Sequence, residues 1–182
     1  MQGALLFSMT TDQEILDVVD ESDRVIDRVT RGEIHRKGLR HRAVHVFLFN
    51  EQRELFLQKR AAGKDTFPLC YDSSASGHVN SGEDYDCCAT REVHEELGIK
   101  LPAGALMRSL RIEACEDTGQ EFVLVYRASG NWRPIINPEE LADGTYWSRT
   151  AIEKLIATHP EQCARSFIRV FSEFCQRNLW PT

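Results

Sequence analysis

Three glutamates and one arginine are crowded into a short stretch of this chain. The stretch, residues 77–99, reads GHVNSGEDYDCCATREVHEELGI and contains Arg91, Glu92, Glu95 and Glu96. Residues three and four apart are neighbours on a helix, so Glu92 would repel both Glu95 and Glu96. Partial burial of three carboxylates is unfavourable without opposite charge, and one arginine cannot neutralise them all. A hard divalent cation, which binds carboxylate oxygens, would stabilise the cluster more completely.

The helix that carries these glutamates has recognisable ends. Ser81 followed by Asp84 is a capping-box pattern, which predicts a helix that begins near Gly82 and runs to residue 97. Gly98 follows where a left-handed residue commonly ends a helix. A helical projection places Glu96 on the apolar face. We therefore expect at least one carboxylate to point toward the protein body.

The residues before the carboxylates also favour a metal site. Glu83 lies in the first turn of the predicted helix, and the preceding loop, residues 73–81, is small and polar. Such a loop can bring a backbone group, for example the Gly77 carbonyl, close to a bound cation. The alternative for an isolated E-x-x-E-E pattern is a solvated acidic helix face, which needs no metal.

The complete segment resembles the Nudix box, G-x5-E-x7-R-E-U-x-E-E-x-G-U with U aliphatic, at every fixed position. The matching residues are Gly77, Glu83, Arg91, Glu92, Val93, Glu95, Glu96, Gly98 and Ile99. The resemblance implies an α+β protein with the Nudix fold, an α/β/α sandwich around a mixed sheet. It also implies hydrolysis, dependent on Mg²⁺ or Mn²⁺, of a phosphoanhydride bond in a nucleoside di- or triphosphate or a related small diphosphate.

The resemblance assigns roles to the matching side chains. Glu92, Glu95 and Glu96 would hold one or more Mg²⁺ or Mn²⁺ ions. Arg91 would orient these carboxylates, and Glu83 would support the site or hold a water. A metal-bound water has a lowered pKa, which suits attack on phosphorus. Which glutamate acts as the general base varies within the family and is left open.

Further candidates lie outside the box. Glu121 opens a predicted strand and is similar to downstream glutamates that serve relatives as an extra metal ligand or general base, with Glu116 as the alternative. Basic residues near the second central strand and the following loop often contact phosphate in this family. The candidates for substrate binding are Arg42, Lys59, Arg60 and Lys64.

The resemblance extends over about residues 14–150, to the branch related to isopentenyl-diphosphate isomerase. In that isomerase a catalytic cysteine directly precedes the Gly-His pair, whereas this chain has Ser76. A hydroxyl is a far weaker acid than a thiol, and the intact box also favours hydrolysis over isomerisation. An isomerase-like activity and a non-catalytic Nudix-fold binding protein are the alternatives.

The histidines offer a second metal site. His35, His41 and His45 are close in sequence, and His78 adjoins the box. In the isomerase branch, histidines equivalent to His41 and His78 bind a second metal. Because the spacing is not a standard zinc pattern, ordinary hydrogen-bonded histidines are the favoured interpretation.

Hydrophobic patterning predicts the elements that position these residues. A hairpin is expected at about 14–29, followed by a short helix at 30–37 with Thr30 as its cap. Strands are predicted at 43–49, 54–59, 71–74, 107–113, 121–128 and 145–147, and C-terminal helices at about 151–157 and 161–177. On the last helix an apolar stripe, Phe167, Val170, Phe171 and Phe174, predicts a core-facing surface.

Composition limits the remaining possibilities. The chain has 182 residues, 42% of them hydrophobic, and a formal net charge of -6. Residues 1–182 are therefore expected to form one domain, with a small-molecule diphosphate rather than nucleic acid as partner. Six cysteines without a C-x-x-C pair indicate reduced thiols in a cytoplasmic protein. Neither a signal peptide nor a membrane span is expected, and the hairpin is a candidate homodimer interface.

Overall fold

The computed structural model describes residues 11–182. The strands of this part of the chain are β1 (Ile15–Val19), β2 (Val25–Thr30), β3 (His41–Phe49), β4 (Leu55–Arg60), β5 (Tyr71–Asp72), β6 (Ala75–His78), β7 (Met107–Ile112), β8 (Glu121–Ser129) and β9 (Leu141–Trp147). The helices are α1 (Arg31–Lys37), α2 (Tyr85–Leu97), α3 (Arg149–Thr158) and α4 (Arg165–Gln176). None of these helices combines the length and apolar character that crossing a bilayer requires.

A mixed sheet is built around β3, whose apolar and β-branched residues favour a buried central strand. The order is β5-β4-β3-β8-β7, with β3 and β8 parallel over their full length. Strands β3 and β4 pair only at Phe49 and Leu55 and then diverge. Residues 43–46 of β3 pair instead with β6, in antiparallel orientation. The divergence of β3 from β4 leaves a cleft in the sheet, and β6 lies at the edge of this cleft.

Helices cover both faces of the sheet. On one face the aromatic side chains of β3 pack against α4, where the ring centroids of Phe47 and Phe174 lie 4.9 Å apart. On the other face Val44 and Val46 of β3 belong to the same buried cluster as Val93 of α2. Alternation along a strand sends successive side chains to opposite faces, which explains the two cores. The predicted α/β/α sandwich around a mixed sheet is confirmed.

Most predicted elements occur within a few residues of their expected limits. The four apolar residues of the α4 stripe are buried, as the helical spacing predicted. Thr30 accepts a hydrogen bond from the Glu33 amide and caps α1, and Gly38 ends that helix in the left-handed region with φ 61°. These local signals were sufficient because each depends only on residues close in sequence.

Several predictions of elements and their limits were wrong. Strand β6 was not predicted because Ser and Gly have low strand propensity, and its pairing with β3 supplies the stabilisation that its sequence lacks. Strand β9 begins at Leu141 rather than Thr145.

The last helix begins at Arg165 rather than Glu161. Pro160–Gln162 form a short 3-10 helix instead. The two residues that follow it are extended, since Cys163 pairs with Tyr71 and the Ala164 amide donates to the Tyr71 carbonyl.

The N-terminal hairpin, β1 and β2, forms a separate two-stranded sheet. Strand β1 is largely buried, whereas Val25 and Ile26 of β2 are exposed. Its use as a dimer interface stays a prediction.

Candidate active site

Helix α2 begins three residues later than the capping-box pattern predicted. Asp84 is the N-cap, and its carboxylate accepts a hydrogen bond of 2.8 Å from the Cys87 amide. Ser81 instead donates to Asp17 of β1, and Gly82 is left-handed with φ 80°. Contact with the hairpin therefore prevents Ser81 from capping the helix. Glu83 consequently precedes α2 rather than lying in its first turn.

Arg91 binds three of the acidic side chains at once. Its Nε and Nη2 donate to the two Glu83 carboxylate oxygens, both at 2.9 Å. Nη1 donates to Glu92 at 2.6 Å and to Glu95 at 3.0 Å, while Nη2 also reaches the His78 carbonyl at 3.1 Å. Although burial opposes ionisation, the bonds from Arg91 and a backbone amide lower the pKa of Glu83. A planar guanidinium is the side chain that can make this fork.

Two carboxylates of α2, fully buried Glu96 and partly buried Glu92, lack a full set of counter-charges. Glu96 is 4% exposed and accepts a hydrogen bond of 3.1 Å from the Ser76 amide. Burial, with repulsion from Glu92, raises the pKa of Glu96 well above its usual value. Burial also raises the pKa of Glu92 to about 7 although Arg91 lies beside it. Glu95 is half-exposed. Hard oxygen donors with unfavourable ionisation fit a divalent cation.

Gly77 is required by the close approach of β6 to α2. A Cβ atom added at this position would overlap the Glu92 carboxylate. The overlapping atoms are the end of the Glu92 side chain, so an added Cβ would displace this carboxylate rather than the backbone. The glycine therefore allows Glu92 to lie directly against the strand. The assignment of Gly77 as a metal ligand stays a prediction.

A cavity of about 680 Å³ opens beside these carboxylates. Of the four basic candidates, Arg60 and Lys64 line it. Arg60 donates to Asp72 at 3.2 Å, and Lys64 forms an ion pair with Glu140. The structure does not bring the other two to the cavity lining. Arg42 donates to Asp23 at 2.6 Å, and Lys59 lies over the Tyr71 ring.

The same cavity reaches a second cluster, which consists of His35, His41, His78 and Glu121. One ligand atom from each side chain lies within 4.8 Å of the others, an arrangement that could hold a metal ion. His78 Nε2 is 3.1 Å and His41 Nε2 is 3.5 Å from Glu121 Oε1. Burial opposes ionisation of Glu121, but the hydrogen bond with His78 and the nearby His41 ring lower its pKa.

The structure also shows where three other candidate residues lie, namely His45, Glu116 and Ser76. His45 lies outside this cluster, with Nδ1 2.6 Å from the Ser73 hydroxyl. Glu116, the alternative to Glu121, also lines the cavity. Ser76 faces Gln58, whose Nε2 lies 3.4 Å from the Ser76 hydroxyl oxygen.

Sequence reasoning missed two glutamates, Glu14 and Glu140, which line the cavity with the box carboxylates. Glu140 follows a segment anchored to the end of α2, where the Ile135 and Asn137 amides donate to the Leu97 and Glu96 carbonyls at 2.8 and 2.9 Å. No local pattern indicates this contact, because the two hydrogen bonds join residues 38 and 41 positions apart in the sequence.

Comparisons with known proteins indicate the same family as the sequence motif. The model of the NUDIX domain family matches residues 39–169. An uncharacterised Nudix hydrolase of Streptomyces coelicolor is 46% identical over 90 residues, which cover 50% of each chain. The aligned part of this chain thus spans about half the length of that relative.

Two further relatives align over most of the chain. Isopentenyl-diphosphate Delta-isomerase 2 of Photorhabdus laumondii is 31% identical over 150 residues, covering 81% of this chain and 85% of the relative. A crystal structure from Deinococcus radiodurans superposes with a TM-score of 0.79 at 29% identity, covering 88% of this chain and 98% of that one. The protein described here is therefore a member of the Nudix hydrolase family, with similarity to its isomerase-related branch.

Proposed function

We propose that this protein hydrolyses a phosphoanhydride bond in a nucleoside di- or triphosphate or a related small diphosphate, with Mg²⁺ or Mn²⁺ as cofactor. The observation that carries the proposal is the pair of carboxylates, partly buried Glu92 and fully buried Glu96, at the wall of a cavity large enough for a small metabolite. Their ionisation is unfavourable without a cation, because Arg91 contacts Glu92 but also shares its donors with Glu83 and Glu95.

The side chains have distinct tasks in this proposal. Glu92, Glu95 and Glu96 would hold the ion, and Gly77 gives Glu92 room to lie against β6. When bound, the ion would neutralise diphosphate charge and lower the pKa of a water. Arg91 fixes the directions of the carboxylates, and Glu83 fixes Arg91 through two parallel hydrogen bonds.

Substrate phosphate would be bound by the basic residues that line the cavity. Arg60 and Lys64 are both partly buried there, which strengthens their interaction with an anion relative to bulk water. Their present partners, Asp72 and Glu140, keep them in place at the cavity wall. The planar Arg60 is suited to bidentate phosphate contact, whereas Lys64 supplies a mobile point charge.

The proposal is tested with a panel of nucleoside di- and triphosphates and other diphosphates, assayed with Mg²⁺ or Mn²⁺ and after chelation. Glu96→Gln keeps an acceptor for the Ser76 amide but loses the charge. We expect it to lower kcat/KM about 10³-fold, since several kcal/mol of charge stabilisation are lost. Glu113→Gln, at an exposed position, is the matched control and should retain wild-type activity.

Other outcomes would select the alternatives. If no compound is hydrolysed but one binds equally well to wild type and Glu96→Gln, the protein is a binding module. Isopentenyl diphosphate belongs in the panel because an isomerase is among the relatives. Conversion of this compound to its isomer, without phosphate release, would replace hydrolysis by isomerisation. Ser76 in place of the cysteine makes us expect no conversion of this compound to its isomer.

A further inference from the structure

An ion pair between Lys64 and Glu140 connects two segments at the cavity wall. Lys64 belongs to the loop between β4 and β5, and Glu140 directly precedes β9. The Ala61 amide donates to the Glu140 carbonyl at 3.0 Å, so the backbones remain joined whatever the side chains do. The two side chains are partly exposed, at 24% and 37%. Each can therefore change partner without disturbing the fold.

Both charges of this pair act on the box carboxylates. The segment before Glu140 is bonded to the end of α2 through the Asn137 amide and the Glu96 carbonyl. Lys64 and Glu140 line the same cavity as Glu92 and Glu96, so both charges of the pair face the box carboxylates. Glu140 thus adds to the acidic cluster, and Lys64 partly cancels it.

We propose that Lys64 and Glu140 form an exchangeable pair that couples diphosphate binding to divalent-ion binding. Lys64 leaves Glu140 for a phosphate of the substrate, and the freed Glu140 carboxylate becomes an additional ligand of the ion held by Glu92 and Glu96. This inference rests on the proposed function, whose two ligands it links. The diphosphate and the divalent ion both favour the state in which Lys64 has left Glu140. The binding of either one therefore strengthens the binding of the other.

The first test uses methylenediphosphonate, a diphosphate analogue that cannot be hydrolysed, in metal-free solution. Glu140→Gln removes the competitor for Lys64, so we expect about fivefold tighter binding by calorimetry. Glu14→Gln removes the same charge from the same cavity but releases no lysine, and it should change affinity less than twofold. In a Lys64→Met background, Glu140→Gln should give no tightening. Tightening that persists there would reveal a general charge effect and overturn the exchange.

The second test measures Mn²⁺ binding with and without saturating methylenediphosphonate. Glu140→Gln should weaken Mn²⁺ binding about fivefold when the analogue is present and less than twofold when it is absent. Equal weakening in both states would overturn the proposal. Glu140→Ala provides a second variant for each measurement, and thermal unfolding verifies that both variants are folded. If wild type hydrolyses diphosphates while these signatures fail, the exchange is wrong and the proposed function stands.

Discussion

Two clusters of potential metal ligands face one cavity, and buried charge is balanced differently in each of them. The carboxylates of α2 carry more negative charge than Arg91 can offset, so burial raises the pKa of Glu92 and Glu96. In the histidine cluster the balance is reversed. Burial lowers the pKa of His78, and the hydrogen bond with His78 together with the nearby His41 lowers that of Glu121.

The difference has a chemical meaning. An oxygen-only cluster with excess negative charge suits Mg²⁺ or Mn²⁺, which supply positive charge and prefer hard donors. A group of imidazoles with one carboxylate contains nitrogen donors that suit Zn²⁺ or other transition metals. In the proposed site the carboxylate cluster would depend on a cation for its charge balance, whereas Glu121 is stabilised by its own neighbours.

The largest expected effect comes from making one substitution in each cluster. Glu92→Gln should lower Mg²⁺-dependent hydrolysis about 10³-fold, because it removes a carboxylate charge from the ion site. Glu121→Gln should lower it tenfold or less, because that residue contacts histidines rather than the α2 carboxylates. Steady-state kinetics with both variants provide the comparison. Equal losses would show that the two clusters work as a single catalytic unit.

An intermediate effect is expected from adding a methyl group beside the carboxylates. Gly77→Ala places a Cβ in the space of the Glu92 carboxylate. We expect about a 100-fold lower kcat and a loss of about 2 kcal/mol in unfolding free energy, measured by chemical denaturation. Gly63→Ala is the matched control, since nothing lies within 4 Å of its added Cβ. A Gly77→Ala variant with full activity would contradict the tight packing of β6 against α2.

The smallest effect is a pH-dependent stabilisation by Mg²⁺. The pKa of Glu92 in the folded protein, about 7, lies above its ordinary value of 4.5, so the folded protein retains protons that the unfolded chain has lost. This contribution to stability is complete below pH 4.5 and disappears as the pH rises through 7. Mg²⁺ should compensate at high pH, with a rise in Tm about 5 °C larger at pH 8 than at pH 5.5.

The Mg²⁺-induced difference is the proper measurement for this effect. Burial lowers the pKa of His45 and His78, so their contribution is lost as the pH falls and opposes that of the glutamates. Subtracting the Tm without Mg²⁺ at each pH removes the histidine contribution if no ion binds there. In Glu96→Gln the pH dependence of the Mg²⁺ effect should shrink. A stabilisation that is larger at pH 5.5 would contradict the raised pKa values.

The same two clusters show why the sequence predicts one site better than the other. The residues of the carboxylate cluster fall within one segment, and helical geometry places Glu92 near both Glu95 and Glu96 before any tertiary contact is known. The histidine cluster takes residues from α1, β3, β6 and β8. His35 and Glu121 meet only because β3 pairs with β8 and α1 packs nearby.

Local patterns also predicted which helices and strands form better than they predicted where a helix begins or which side chains pair. Thr30 caps α1 as expected, whereas Ser81 has the same chemistry but is drawn to Asp17 of the hairpin. Likewise, Arg42 and Lys64 are equally plausible phosphate ligands by type. Only the fold determines that Arg42 pairs with Asp23 away from the cavity lining. Such outcomes depend on long-range contacts that no local window contains.

The last turn of α2 adds a field of its own to the acidic site. Aligned peptide dipoles give a helix C-terminus roughly half a negative elementary charge, so acidic side chains normally avoid this end. Glu95 and Glu96 lie there, directly before the left-handed Gly98. Backbone and side-chain potentials therefore reinforce each other at the place where a cation would bind. Helix α2 thus adds to the negative potential of the site as well as positioning its side chains. Fraying of its final turn would therefore weaken the attraction of a cation even with every carboxylate intact.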